Sequence, residues 1–416
     1  MIVIKIPNNN VEERTYILDV FFNEFLDLKY ELELGLNEYE IVLENGKVLR
    51  IEDKFFNKYP NDLEYLKLEN IPSKLEELDL FAASFFMLTR WEEYVNKKRD
   101  SHNRFSAIES LAFKEGFLDR PVVNEYLEDL KTKLLNLDER LVFKKYEYTL
   151  FVTHDVDAPL MYGSFKNHCK ASILDVLQRK DVGLLINRNI GYFKTKVLKQ
   201  DDPFNTFDYL MNLSEKHQLK SYFFFMGKGL TGYDNMYKSS DRFIGRLVEK
   251  IKARGHYVGI HPTYDAYNSL EQFKKEKDEL EQNLNTKITF GREHYLRFEV
   301  PRTWQVWEEN EMEWDSTLSY ADKEGFRCGV CYPYSVFNIL TRNKLKLKER
   351  PLIVMEGSFA TYQKDITPKE MEHKIFNLIK SVKKYNGEFV FLWHNSSFHT
   401  DEWKNHKHIY ERVLNR

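Results

Sequence analysis

The chain has 416 residues and a formal net charge of −3, with Lys and Arg interspersed among Asp and Glu. That length exceeds one ordinary domain and suggests two, and the lack of a basic excess argues against a nucleic-acid footprint. Hydrophobic residues make up 42% and aromatic residues 15%, enough for a sizeable core; aromatic faces also stack on sugars, so the aromatic share fits a carbohydrate-handling protein as well as an aromatic-rich interior.

Residues 1–140 read as a smaller α+β domain. Ile2–Ile6 and Tyr39–Leu43 look like strands, Leu78–Tyr94 is a helix with apolar residues three and four apart, and a second helix runs from about Pro121 to Leu135. No cluster of His, Asp and Cys in this part suggests chemistry. The opening MIVIKIPNNN lacks the charged start and apolar run of a signal peptide. No stretch of 18 apolar residues is present to span a membrane. The expectation is a cytoplasmic protein with no membrane span.

Residues 141–416 alternate short apolar runs with amphipathic helices. The predicted strands are Tyr146–Val152, Lys220–Met226, Tyr257–His261, Leu296–Val300, Ile353–Phe359 and Glu388–Trp393. Helical patterns lie between them, at Ala171–Gln178, Phe207–His217, Asp241–Ala253, Ser269–Asn283, Thr303–Glu311 and Lys369–Lys384. This order implies parallel strands with crossover helices, in an α/β barrel or a doubly wound sheet. No Gly-rich phosphate loop follows any strand. Of the three cysteines, Cys328 and Cys331 have CxxC spacing. No second pair completes a zinc site, so they read as structural thiols.

Polar residues fall at one end of four of these strands. Asp155 and Asp157 follow the first in Thr153-His-Asp-Val-Asp157. His261 ends the third, Arg297 lies on the fourth and His394 ends the last. In a parallel barrel these ends share one rim, where active sites form. Asp and His suit Zn²⁺ or a similar divalent ion. Asp155 and Asp157 share strand parity, so one can ligate a metal while its neighbour takes a proton from a bound water. Arg297 can keep that base ionised by charge pairing, and His394 can protonate a leaving group.

From Tyr146 onward these motifs, in this order, resemble the polysaccharide deacetylases of the NodB-homology type, carbohydrate esterase family 4. The resemblance implies an irregular (β/α) barrel and removal of an acetyl group from a carbohydrate or glycan precursor. By that resemblance Asp155 is the base, Asp157 and His261 are metal ligands, and Arg297 pairs with the base. His394 is the catalytic histidine, and Asp315 in Trp314-Asp-Ser-Thr317 tunes it. The second motif departs from the family, which has two histidines four residues apart. Here the later position is Asp265 in His261-Pro-Thr-Tyr-Asp265. Asp265 or His294 would then complete the metal shell, the metal being zinc. An N-terminal region carrying Phe86-Met-Leu-Thr-Arg-Trp-Glu-Glu-Tyr94 resembles that of deacetylase-like proteins from bacterial surface-polysaccharide loci.

Two other readings compete. Asp155-Val-Asp157 is also a DxD sequence of the kind some glycosyltransferases use, and the altered second motif fits a non-catalytic carbohydrate-binding protein on the same fold. Trp304, Trp307 and Trp314 fit a sugar cleft or a core equally. Arg327 fits an anionic substrate or a carboxylate partner.

Overall fold

The structure is a computed structural model that describes residues 2–35, 37–177, 180, 182–234, 237–363, 365–400 and 403–416. Near the N-terminus, β1 (Ile2–Ile6), β2 (Tyr30–Leu34), β3 (Tyr39–Val42) and β4 (Val48–Ile51) form a four-stranded sheet in the order β2-β1-β3-β4. In β1 the buried Ile2, Ile4 and Ile6 alternate with half-buried Val3 and Lys5, as expected of a strand with one face on a core.

The predicted helix Leu78–Tyr94 is two helices, Leu80–Thr89 and Trp91–Val95, separated by Arg90 at φ +55°. Asp79 caps the first by accepting from the Phe81 and Ala82 N–H groups at 3.0 Å. Every residue of Leu80–Thr89 is buried. A helix with no polar stripe must be covered on all sides. Phe81 packs against Tyr39 of β3, and Phe85 against Phe337 of the second sheet.

The second sheet has nine strands: β5 (Thr149–Val156), β6 (Ser221–Phe225), β7 (Tyr257–Ile260), β8 (Phe290–Gly291), β9 (Trp314–Asp315), β10 (Tyr334–Asn338), β11 (Asn343–Glu349), β12 (Val354–Met355) and β13 (Glu388–Leu392). Their order is β10-β11-β9-β8-β7-β6-β5-β13-β12, and every pairing is parallel except β10–β11. The row ends at β10 and at β12, and among the described residues no pairing joins these ends into a ring. The architecture is thus mixed α/β with a large, mostly parallel sheet. Four of the six predicted strands of this part coincide with β5, β6, β7 and β13. The run Leu296–Val300 forms no strand. Its strand lies earlier, at β8, and the run Ile353–Phe359 is strand only over Val354–Met355 before becoming the helix Glu356–Tyr362. No helix among the described residues is long and apolar enough to cross a membrane.

β7 and β8 approach each other closely. A Cβ on Gly291 would lie 1.9 Å from the Ile260 carbonyl oxygen, and one on Gly259 2.6 Å from that of Phe290. Glycine at both positions lets the two backbones meet where β8 delivers its next residue, Arg292.

Candidate metal centre and active site

Because the strands are parallel, their C-terminal ends lie along one edge of the sheet, the edge where such folds build sites. Asp155 is the penultimate residue of β5 and Asp157 follows the strand. His261 follows β7, Arg292 follows β8, Glu356 follows β12, and His394 lies two residues beyond β13. Thr153 and Asp155 face the same side of β5, shown by the one Arg292 nitrogen, Nη1, that donates to Thr153 Oγ1 and Asp155 Oδ1, both at 2.9 Å. His154 faces the other side and is fully buried against Phe223.

Asp157 Oδ1 lies 3.3 Å from His261 Nε2 and 3.7 Å from His294 Nε2. These three side chains can hold a metal ion, with one ligand atom from each lying within 4.8 Å of the others. His261 Nδ1 is 2.6 Å from the Arg292 carbonyl oxygen. A carbonyl only accepts, so in the neutral ring Nδ1 carries the proton and Nε2 presents its lone pair to the cluster. His294 Nδ1 faces Asp234 Oδ1 at 3.5 Å. Asp234 is fastened by the N–H groups of Leu230, Thr231 and Tyr264 at 2.7–3.0 Å. Among the described residues, Asp157 Oδ1 is buried and accepts no hydrogen bond, an orphaned anionic oxygen of the sort a cation would satisfy. Burial opposes ionisation of Asp157, yet His294, His261 and His394 around it hold its carboxylate well below the ordinary range. The donor set, its free ring nitrogen and its orphaned oxygen therefore fit a divalent metal.

Two further groups flank the cluster. Asp155 Oδ2 lies 3.8 Å from His261 Nε2, while Oδ1 is held by Arg292. The buried Arg292 also donates to the Ser316 carbonyl and hydroxyl at 2.7 and 3.0 Å. His394 Nε2 lies 3.6 Å from Asp157 Oδ2. Its Nδ1 and backbone N–H donate to Glu356 Oε1 at 2.7 and 2.8 Å. Burial alone would lower the pKa of this imidazole, but the buried Glu356 carboxylate outweighs it and pushes the pKa up to about 10.

Five of the sequence-predicted residues thus come together: Asp155, Asp157, His261, His294 and His394. Three do not. Arg297 stacks on Tyr264 and Tyr267 and pairs with Asp265 at 3.0 Å, not with Asp155. Asp265 is 65% exposed, paired with Arg297 and outside the metal cluster. Asp315 accepts from Thr317 Oγ1 at 2.5 Å and lies opposite Glu349 in the β9–β11 register; the group bonded to His394 is Glu356. Burial holds the Asp315 carboxyl above its ordinary range.

Arg292, Glu356 and Asp234 were missed. For Arg292 the signal was present in Ile288-Thr-Phe-Gly-Arg292, an alternating run that ends one residue before it. Glu356 fell inside an apolar run read as strand, and Asp234 lies in a loop with no local pattern. Trp304 and Trp307 are core residues whose indole N–H groups donate to Glu349 and Glu293 at 3.0 and 2.7 Å. Arg327 is buried in a two-pronged pair with Glu93. Cys328 and Cys331 are free and buried.

The cluster opens onto a cavity of about 980 Å³ whose lining includes Asp155, Asp157, His261, His294 and His394. The N-terminal part contributes one residue to this lining. Arg104 lines the cavity and donates to the Tyr295 carbonyl at 3.0 Å and the Tyr362 hydroxyl at 2.6 Å. His102 Nδ1 lies 3.1 Å from the Tyr264 hydroxyl, and Asn103 donates to the Tyr267 hydroxyl at 2.9 Å.

Residues 2–139 match the family model DUF7033, described as a family of unknown function. None of the curated proteins matches the chain. Among solved structures, the chain is similar to a candidate polysaccharide deacetylase from Mycobacterium smegmatis, at 14% identity and a TM-score of 0.40 over 65% of this chain and 85% of that one. It is also similar to a mutant of a CE4 family pseudoenzyme with restored enzymatic activity, at 12% identity and a TM-score of 0.29 over 51% of this chain and 58% of that one.

Proposed function

We propose that the chain is a metal-dependent hydrolase that removes an acetyl group from an N- or O-acetylated sugar in bacterial cell-surface polysaccharide metabolism. The observation that carries this reading is the triad Asp157, His261 and His294, flanked by a charge-paired Asp155 and a carboxylate-backed His394 on one cavity. Two imidazoles and one carboxylate suit zinc. Such an ion, when bound, polarises a carbonyl and acidifies a water. Asp155, whose charge Arg292 balances, is the group to accept a proton from the attacking water. His394, held protonated by Glu356, presents Nε2 to donate a proton to the departing amine or alcohol. The motif order in residues 146–416 supports a NodB-type barrel for this part. Residues 1–140 form the accessory domain, which contributes Arg104 to the cavity lining.

The third ligand bears on the competing readings. A non-catalytic role rests on a gap in the metal shell, and the position of His294 beside Asp157 and His261 supports its filling that gap. A DxD transferase leaves the convergence of His261, His294 and His394 on Asp157 without a purpose. The test is acetate release from acetylated oligosaccharides. Release should stop with a chelator, return with Zn²⁺, and fall by about 10²–10⁴-fold in Asp155→Asn. Undiminished release from that variant, or from metal-free protein, overturns the reading.

A further inference from the structure

Two helices that the cavity does not fully account for follow β5: Phe165–Leu177 and Val182–Lys196. They pack against each other as a hairpin through their inner faces. The Tyr192 ring stacks on His168 at 4.1 Å, and Arg188 grips Asp175 with Nε at 2.5 Å and Nη2 at 3.2 Å. His168, Ala171 and Arg188 of this inner side also line the cavity.

The outer side is apolar. On the second helix Val182, Ile186, Ile190, Phe193 and, just beyond it, Val197 recur at three- and four-residue intervals, each 47–62% exposed. That spacing is one continuous stripe along a helix. The first helix adds Ile173, Val176 and Leu177, which lie within one turn of each other and are 44–70% exposed. None of these side chains belongs to a hydrophobic core cluster. An apolar surface of this extent calls for a partner phase.

Charge selects the partner. Residues 165–199 carry eight Lys and Arg against two Asp, a net of +6, while the rest of the chain carries −9 and the whole −3. One of the two Asp is already neutralised by Arg188. Pairing with a second copy would set +6 against +6, and a neutral bilayer would leave the cations without counter-charges. An anionic bilayer meets both needs, because apolar side chains enter the headgroup boundary while Lys and Arg lie among anionic lipids.

We propose that the hairpin 165–199 docks the protein peripherally on an anionic lipid bilayer. Since the same hairpin walls the cavity, docking sets the cavity beside the membrane. A glycan carried on a lipid would meet the metal centre there. This last consequence rests on the deacetylase reading above; the docking itself does not.

The experiment is flotation of the full chain with vesicles of phosphatidylcholine alone or mixed with phosphatidylglycerol, at low and high salt. The wild-type protein should float with the anionic vesicles only, and less at high salt. Two variants separate the contributions, Ile186→Ser/Ile190→Ser/Phe193→Ser and Lys194→Glu/Lys196→Glu/Lys199→Glu. Each should bind about tenfold more weakly or worse, with circular dichroism and bound zinc unchanged. Failure to float with anionic vesicles overturns the proposal. So does binding undiminished in both variants, or a dimer by light scattering that the serine variant dissociates, which would show that the stripes cover a second copy. Loss of acetate release with flotation intact would instead count against the deacetylase reading alone.

Discussion

A guanidinium buried away from water needs acceptors for its N–H groups, and Arg292 finds them in Asp155, Thr153 and Ser316. Removing one member of such a pair leaves an uncompensated buried charge, at about 3–5 kcal/mol. Arg292→Gln should therefore lower the urea midpoint and abolish acetate release, whereas Arg297→Gln, away from the centre, should keep release within about threefold, the size of effect expected outside the site. At the metal shell, His294→Ala should lose stoichiometric zinc by elemental analysis, and Asp265→Ala should retain it; the opposite pattern would restore Asp265 as the ligand. His154 supplies a pH dependence. Its Nδ1–H donates to the Trp393 carbonyl at 2.7 Å, and its Nε2 faces the Ser221 hydroxyl at 3.2 Å. Burial lowers its pKa from 6.5 to about 3. The unfolded chain takes up a proton below about pH 6.5 that the folded chain refuses, so stability is retained above that pH and falls as the pH drops towards 3, by about 1.4 kcal/mol per unit. The check is chemical denaturation across this range, comparing wild type with His154→Gln, in which that share of the slope should vanish.

At the scale of elements, local pattern located β1, β3, β5, β6, β7 and β13 but misplaced the strands that carry Arg292 and Glu356. Leu296, Phe298 and Val300 alternate and are buried, yet the segment is irregular, with Tyr295 and Leu296 at positive φ. Apolar alternation reports burial on one side and not ladder pairing. β8, by contrast, is two residues long, and the alternating run that contains it, Ile288–Gly291, is only four residues long and easily passed over. The strand was thus read six residues late, and the first arginine after it was missed. Gly291 is where this element can be tested. Gly291→Ala forces a Cβ into the Ile260 carbonyl and must part β7 from β8, at about 1–3 kcal/mol. The expected outcome is a lower thermal midpoint together with weaker zinc binding, because both His261 and Arg292 shift with the strands; an unchanged zinc affinity would show that β8 does not set the site.

At the scale of the whole molecule, the two sheets share one hydrophobic core that runs from Ile2 to Leu414. A buried ion pair crosses between the parts: Glu93 binds Arg327 while also holding Arg90 of its own part, with carboxylate–guanidinium distances of 2.5–2.9 Å. Glu93→Gln leaves two buried guanidinium groups short of charge and should destabilise both parts together by about 3–5 kcal/mol, seen as a single shifted transition by near-ultraviolet and far-ultraviolet circular dichroism. Two separate transitions would show that the parts fold independently.

By itself, the amino-acid order determined the alternation of strands and helices after residue 146 and the presence of Asp155, Asp157, His261 and His394 at strand ends, because both follow from periodicities of two and 3.6 residues that are local. It also named His294 as one of two candidates for the third ligand. Only the tertiary structure brought His294 and not Asp265 beside Asp157 and His261, since the distance from Asp157 to either depends on how β5, β7 and β8 pair across more than a hundred residues. The same holds for Arg292 as the partner of Asp155, for Glu356 behind His394, for Arg104 reaching the cavity from the N-terminal part, and for the exposed apolar side of the hairpin. Each is a contact, or the lack of one, between segments distant in sequence, and no local pattern encodes it.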